Sequence, residues 1–174
     1  MKKILILCML LNITSHAAKS KTELAGDILA TLIPVIGLGA TVYNEDYDGS
    51  IEFLKAYGGT GAVTQILKYT VREQRPNNST SYTSFPSGHT SSAFSGASFI
   101  HKRYGIKYAI PAYIGAVYTA YSRVKAEKHY TQDVIAGALL GIGFSWYFVT
   151  PYKNLQVTPT VNNDAYGVNF KYKW

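Results

Sequence analysis

Four stretches between residues 51 and 149 carry apolar residues at helical spacing with small residues threaded among them. This pattern constrains the fold more than any other feature of the chain. Residues 51–72 place Leu54, Ala62, Ile66 and Leu67 on a helical repeat, although Gly58, Gly59 and Gly61 weaken its first half. Residues 87–104 read as a helix rich in small side chains: Ser91, Ser92, Ala93, Ser95 and Ala97. Residues 108–122 are apolar on most sides. Residues 133–149 carry Gly137, Gly141 and Gly143, and the four-residue spacing of the first two suits close approach of a neighbouring helix. Upstream, residues 28–43 are mostly apolar around Pro34, Gly37 and Gly39. Residues 44–50, with three acids and a glycine, read as a loop. The Pro, Asn, Ser and Thr of residues 75–86 predict a long one.

The period changes near the end of the chain. Leu155, Val157, Pro159 and Val161 alternate, as do Tyr166, Val168, Phe170, Tyr172 and Trp174, around Asn162, Asn163 and Asp164. A two-residue period around a turn predicts a terminal β-hairpin. No internal repeat or low-complexity tract interrupts the pattern.

The length of 174 residues fits one domain. Charged residues make up 16% of the chain, against about 25% in ordinary soluble domains. That low share points to a tightly packed soluble protein or to a membrane protein of short helices. The net charge of +7 favours an anionic partner, such as a phosphate-bearing headgroup or nucleotide. The basic residues are scattered, and no zinc-finger or RNA-recognition pattern accompanies them, which argues against nucleic acid. At the N-terminus, Lys2 and Lys3 precede an apolar run over residues 4–13, and Ser15-His16-Ala17 ends in a small residue. This is the layout of a secretory signal peptide over residues 1–18, cleaved after Ala17 or Ala18. The run is short for a full membrane span. The only cysteine, Cys8, lies inside it, so the processed chain has none and forms no disulfide. The expected division is therefore signal 1–18, helical domain 19–152 and C-terminal extension 153–174.

Three segments concentrate residue types that handle phosphate. Lys68 and Arg75 lie seven apart, two helical turns, which would put them on one face. Arginine offers a planar fork to phosphate oxygens and lysine a point charge. Alone, such a pair is common on any solvated helix face. Pro86-Ser87-Gly88-His89 opens a helix, whose first turn presents free N–H groups and the positive end of a dipole. Ser87 adds a hydroxyl donor, Gly88 lets an anion approach the backbone, and His89 is placed to donate a proton to a leaving oxygen. In the third segment His129 and Asp133 are four apart, a helical spacing that sets the carboxylate beside the imidazole. A carboxylate on one ring nitrogen fixes the tautomer and makes the other nitrogen the better nucleophile. Arg123 supplies positive charge for a transferring phosphoryl group. His101, beside Lys102 and Arg103, reads as a solvated helix end, and Glu127 as a solvent-facing residue.

Together these segments, Lys-x6-Arg-Pro, Pro-Ser-Gly-His and Ser-Arg-x5-His-x3-Asp, resemble the signature of the type 2 phosphatidic acid phosphatase and vanadium haloperoxidase superfamily, over Lys68 to Asp133. The resemblance implies an all-α helical bundle with the site on its core, and a phosphatase working through a phosphohistidine. It implies that Lys68, Arg75, Arg123, Ser87 and the Gly88 amide bind phosphate. His89 would then be the general acid, His129 the nucleophile and Asp133 its orienting partner. It implies no metal and no cofactor, because basic side chains neutralise the charge. Lys125, Glu127 and Lys128 make the stretch before His129 polar, where many membrane members are apolar or small.

Two substrate classes follow. One is a membrane lipid phosphate or pyrophosphate, met at an exported, periplasm-facing surface. Undecaprenyl pyrophosphate, phosphatidylglycerol phosphate, phosphatidic acid and a lipid A phosphate all qualify. The other is a small phosphate ester, cleaved by a soluble periplasmic acid phosphatase. The apolar segments favour the first and the signal-like start suits the second. A vanadate-dependent haloperoxidase ranks below both, since those enzymes are usually much larger; bromide oxidation with vanadate and peroxide tests it.

Overall fold

The structure is a computed structural model that describes residues 20–76, 79–152, 155–162 and 165–172. The expected signal segment, with Cys8 and His16, lies outside the described residues. The fold is the expected all-α bundle followed by a hairpin. Its helices are α1 (Lys21–Tyr43), α2 (Tyr47–Val71), α3 (Gly88–Tyr104), α4 (Ile106–Lys125) and α5 (Thr131–Phe148). Strands β1 (Leu155–Asn162) and β2 (Ala165–Tyr172) pair antiparallel, with Leu155 opposite Tyr172 and Asn162 opposite Ala165.

The two boundaries that shift furthest from the sequence reading are the starts of α1 and α2, and capping explains both. α1 begins at Lys21 within the polar stretch, because the Ser20 hydroxyl accepts the Glu23 N–H at 3.1 Å. The loop expected over residues 44–50 shrinks to 44–46, because the Asp46 carboxylate accepts the Gly49 N–H at 3.0 Å and starts α2 at Tyr47. The glycines of α2 do not break it. A Cβ at Gly59 would lie 2.7 Å from the Phe144 ring of α5, so this glycine makes room for an aromatic neighbour.

α3 is the central helix and packs against α1, α2, α4 and α5. Its small residues allow this: Ala93, Ser95, Ala97 and Ser98 are all buried. A Cβ on Gly137 would lie 2.6 Å from the Ser87 carbonyl oxygen, and one on Gly141 would lie 2.6 Å from both Ser91 O and Ser95 N. The four-residue glycine spacing therefore marks the seam between α5 and α3. Gly143 faces open space and is not part of it. On the far side, Gly96 of α3 meets the backbone of α1 at Pro34. Larger apolar side chains gather toward one end, around Phe53, Phe99, Ile100 and Val149.

That end is tied by Arg103, which the sequence reading placed on a solvated helix end. It is buried instead. Its Nε and Nη2 donate to Asp46 at 2.7 and 2.5 Å, and its Nη1 donates to Glu52 at 3.2 Å and to the Thr150 carbonyl at 2.9 Å. One guanidinium thus joins the end of α3 to the start of α2 and the exit of α5. A buried arginine is tolerated because these carboxylates and this carbonyl satisfy it. His101 is packed too, with Nδ1 at 3.3 Å from the Tyr113 hydroxyl and its ring edge-on to Trp146.

The outward surfaces are apolar. Ile28, Leu32 and Ile36 of α1, Ile51, Leu54 and Ile66 of α2, Ile110, Ile114 and Val117 of α4, and Ile135 and Leu139 of α5 are all exposed. Exposed tyrosines flank this band: Tyr43, Tyr47, Tyr108 and Tyr147 at one end, Tyr69, Tyr121 and Tyr130 at the other. Among the described residues, α1 is the one helix long and apolar enough to cross a membrane, with a mean hydropathy of 1.7. Its 23 residues span about 35 Å at the α-helical rise, against about 30 Å for a hydrocarbon core.

Candidate active site

The sequence-predicted residues converge at the end of the bundle opposite Arg103. Lys68 sits in the last turn of α2, which stops because Arg72 adopts a left-handed conformation at φ 51° and ψ 45°. Lys68 and Arg75 therefore do not share a helix face, as their seven-residue spacing predicted. Arg75 lies in the loop beyond, and a set of clamps returns that loop to the helix. The Lys68 ammonium donates to the Thr83 and Pro86 carbonyls at 2.8 and 2.7 Å. The Arg75 N–H donates to Ser81 O at 3.0 Å, its Nη2 to the Thr83 hydroxyl at 3.4 Å, and the Ser84 N–H to Glu73 O at 2.9 Å. The long loop is held by its own polar groups.

The same loop delivers residues 86–89. Ser87 is the N-cap residue of α3 and is fully buried; its Oγ caps nothing but accepts the Thr90 hydroxyl at 3.0 Å, so its own hydroxyl proton remains to be donated. The Ser87 N–H donates to Asp133 O at 3.0 Å and joins the start of α3 to the start of α5. At Gly88 a Cβ would meet only Lys68 Cε at 3.8 Å and Thr64 Cγ2 at 3.9 Å, which are ordinary contacts. Among the described residues nothing demands glycine there, whereas an anion bound at the amide would need the space a side chain takes. Gly88→Ala is accordingly expected to melt within a few degrees of the parent while its KM rises about tenfold, the worth of one backbone hydrogen bond to an anion. Thermal melts and steady-state kinetics check this together.

His129 and Asp133 meet, but not as a pair on one helix. α5 begins at Thr131, so His129 precedes it. Asp133, in the first turn, reaches back: its Oδ2 accepts the Tyr130 N–H at 2.9 Å and the Ser84 hydroxyl at 2.5 Å. That cap brings Oδ2 to 3.4 Å from His129 Nδ1. Asp133 is wholly buried and His129 is 3% exposed. Burial pushes the His129 pKa well below its ordinary 6.5; the positive charges of Arg75 and Lys68 push the same way, and Asp133 only partly opposes them. The ring is therefore held neutral, and a neutral imidazole keeps a lone pair for attack. Among the described residues, the buried side-chain polar atoms without a hydrogen-bond partner are Arg75 Nε, His129 Nδ1 and Asp133 Oδ1, all within this cluster. Unsatisfied buried groups are rare and gather where a protein does chemistry.

Arg123 closes the cluster from α4. It is 3% exposed and donates through Nε to Ser122 Oγ at 3.1 Å, Nη1 to Asp27 Oδ1 at 2.6 Å, and Nη2 to Glu23 O at 2.7 Å. Its charge also acts on Arg75, whose pKa is lowered first by burial and then by this neighbour. His89 is half exposed, with Nε2 at 3.1 Å from the same Asp27 oxygen. All eight predicted residues thus lie at one end of the bundle, and their polar contacts add residues the sequence reading missed: Ser84, Thr83, Glu23 and Asp27. For Asp27 the available signal was a carboxylate immediately before an otherwise apolar run. Ser84 and Thr83 offered none inside a Ser- and Thr-rich loop.

A family model described as the PAP2 superfamily matches residues 50–156. The chain is 34% identical over 170 residues to the lipid A 4'-phosphatase of Helicobacter pylori (strain J99), covering 87% of this chain and 85% of that protein. It is 30% identical over 134 residues to the phosphatidylglycerophosphatase B of Bacillus subtilis (strain 168), covering 68% of this chain and 64% of that one. The crystal structure of the first transmembrane PAP2 type phosphatidylglycerolphosphate phosphatase from Bacillus subtilis is similar with a TM-score of 0.58 at 27% identity, over 73% of this chain and 71% of that chain.

Proposed function

This chain belongs to the PAP2 superfamily and is a lipid phosphatase of that type; from there we propose that it removes phosphate from a glycolipid of the lipid A class through a phosphohistidine on His129. The observation that carries the chemistry is a buried imidazole, held neutral by burial and by the charges of Lys68 and Arg75, and backed by a fully buried carboxylate.

Lys68, Arg75 and Arg123 hold the phosphate oxygens, with the Ser87 hydroxyl and the Gly88 N–H completing the cradle. The three cations neutralise the charge of the phosphoryl group as it transfers. His129 attacks phosphorus through Nε2, the ring nitrogen away from Asp133. The P–N bond forms as the P–O bond to the lipid breaks, and His89 gives its proton to the departing oxygen. Asp133 stabilises the positive charge that His129 acquires. In the second step a water loses its proton to His89 and attacks phosphorus, the P–N bond breaks, and inorganic phosphate leaves.

Support for a lipid substrate comes from the surface. Four helices turn apolar faces outward, between tyrosines at both ends, which is how a bundle sits in a bilayer with aromatic side chains at its interfaces. The catalytic end then lies at one interface, where a lipid headgroup resides. Support for the lipid A class is the relative that shares most of its length with this chain and is named for that substrate. Support for an exported catalytic face is the signal-like segment directly before α1, since α1 starts at the catalytic end.

The test is phosphate release by the detergent-purified protein from lipid A, phosphatidylglycerol phosphate, phosphatidic acid and p-nitrophenyl phosphate. Lipid A is expected to be preferred at least tenfold in kcat/KM. Preference for the small ester, together with release of the protein from membranes by salt alone, would return the reading to a soluble acid phosphatase.

A further inference from the structure

Two of the site's cations and acids depend on a helix that contributes none of the motif residues. α1 lies outside residues 50–156, yet it enters the site at Asp27. One oxygen of Asp27, Oδ1, stands 2.6 Å from Arg123 Nη1 and 3.1 Å from His89 Nε2. Its side chain is only 18% exposed. The neighbouring residue is shaped for the same contact: a Cβ on Gly26 would collide with the Ser122 side chain and lie 3.1 Å from Arg123 Nη2. Glycine at that position lets α1 press against the end of α4 and seat Asp27 on the guanidinium.

We propose that Asp27 is a positioning residue, setting the proton donor His89 and the phosphate-binding Arg123 with a single carboxylate oxygen; the proposal rests on the roles assigned to those two residues above. Arg123 has five N–H donors, and three are used on Asp27, Glu23 and Ser122. Its plane is fixed, and two donors remain for phosphate oxygens. His89 is half exposed and free to turn without a partner. Bonding at Nε2 fixes the ring and leaves Nδ1 to hand its proton to the leaving oxygen. Afterwards the neutral ring keeps Nε2–H on Asp27, so the tautomer ready to take a proton from water is already selected.

The role predicts a dependence on the leaving group. p-Nitrophenolate departs with little help from an acid, whereas a sugar or alkyl oxygen needs protonation. For Asp27→Ala, KM is expected to rise on both substrates alike as Arg123 loses its seat, while kcat on the lipid phosphate falls by roughly 10²-fold and kcat on p-nitrophenyl phosphate by no more than about threefold. Asp27→Glu should restore part of the lipid rate. In a His89→Ala background, Asp27→Ala should no longer separate the two substrates. Equal losses of kcat on both substrates, or no loss on either, would overturn the assignment. If Asp27→Ala does not fold, Asp27→Asn carries the same test: a smaller but still leaving-group-dependent loss supports the proposal, and an equal loss overturns it. His129→Ala serves as the control. An active His129→Ala variant would bring down the mechanism itself, whereas an inactive one with an unchanged Asp27→Ala would bring down only the role of Asp27.

Discussion

Replacing His129 by alanine is expected to abolish phosphate release, with a loss on the order of 10⁴-fold or more, as for removal of other catalytic nucleophiles. The ring is buried, backed by Asp133 at 3.4 Å and kept neutral by burial and by the charges of Arg75 and Lys68. No other described histidine combines burial with a carboxylate behind it. His89 is half exposed and His101 packs against Tyr113 and Trp146 at the other end of the bundle. Wild-type protein exposed briefly to ³²P-labelled substrate and quenched in alkali should carry acid-labile label on histidine, and His129→Ala should carry none. The pH dependence follows in sign. Protonation of His129 removes its lone pair, and its pKa is depressed below 6.5. The nucleophile therefore stays competent as pH falls through 6.5, and the acid limb that it contributes to kcat/KM lies below that value. Label retained on the alanine variant, or full turnover by it, would refute the mechanism.

The largest effect on stability is expected at Gly141. Its missing Cβ would sit 2.6 Å from two backbone atoms of α3, Ser91 O and Ser95 N, neither of which can rotate away. Gly141→Val must force α5 off α3, the helix on which every other helix packs. The cost should reach about 3 kcal/mol or more, a large part of the stability of a domain this size. Because Ser87 N–H donates to Asp133 O across the same seam, activity should fall with stability. Gly143→Val, one half-turn away and facing open space, is the matched control. It should stay within about 1 kcal/mol of the parent. Thermal unfolding of the two variants in one detergent decides this; equal melting temperatures would mean that the seam is not close-packed.

Much of the fold was legible because its signals are local. Helical period, small residues at turn spacing and the two-residue period of the tail each report on neighbouring residues, so four helices and a hairpin could be read directly, while α1 showed only as an apolar stretch. Boundaries were missed where one side chain decided them, at Ser20 and at Asp46. Arg103 was misread for a different reason. A charged residue at a helix end is usually solvated, and only its partners at Asp46, Glu52 and Thr150, brought together from elsewhere in the chain, make it a buried tie.

The site divides along the same line. Residue types and short spacings named Lys68, Arg75, Ser87, Gly88, His89, Arg123, His129 and Asp133, because phosphate chemistry demands those groups and this motif set is specific. Spacing misjudged how they meet. Arg75 returns to Lys68 through a clamped loop rather than along a helix, and His129 meets Asp133 through the cap of α5 rather than across one of its turns. Asp27, 96 residues from Arg123, could not be paired with it in advance. A contact of that range leaves no periodic trace in the chain, because it is created when the glycines of α1, α3 and α5 let the helix backbones close on one another. The chain by itself determined which chemical groups would be present and which segments would be helices. The packing of those helices decided which groups face one another, how deeply His129 is buried, and hence that it stands neutral beside Lys68 and Arg75.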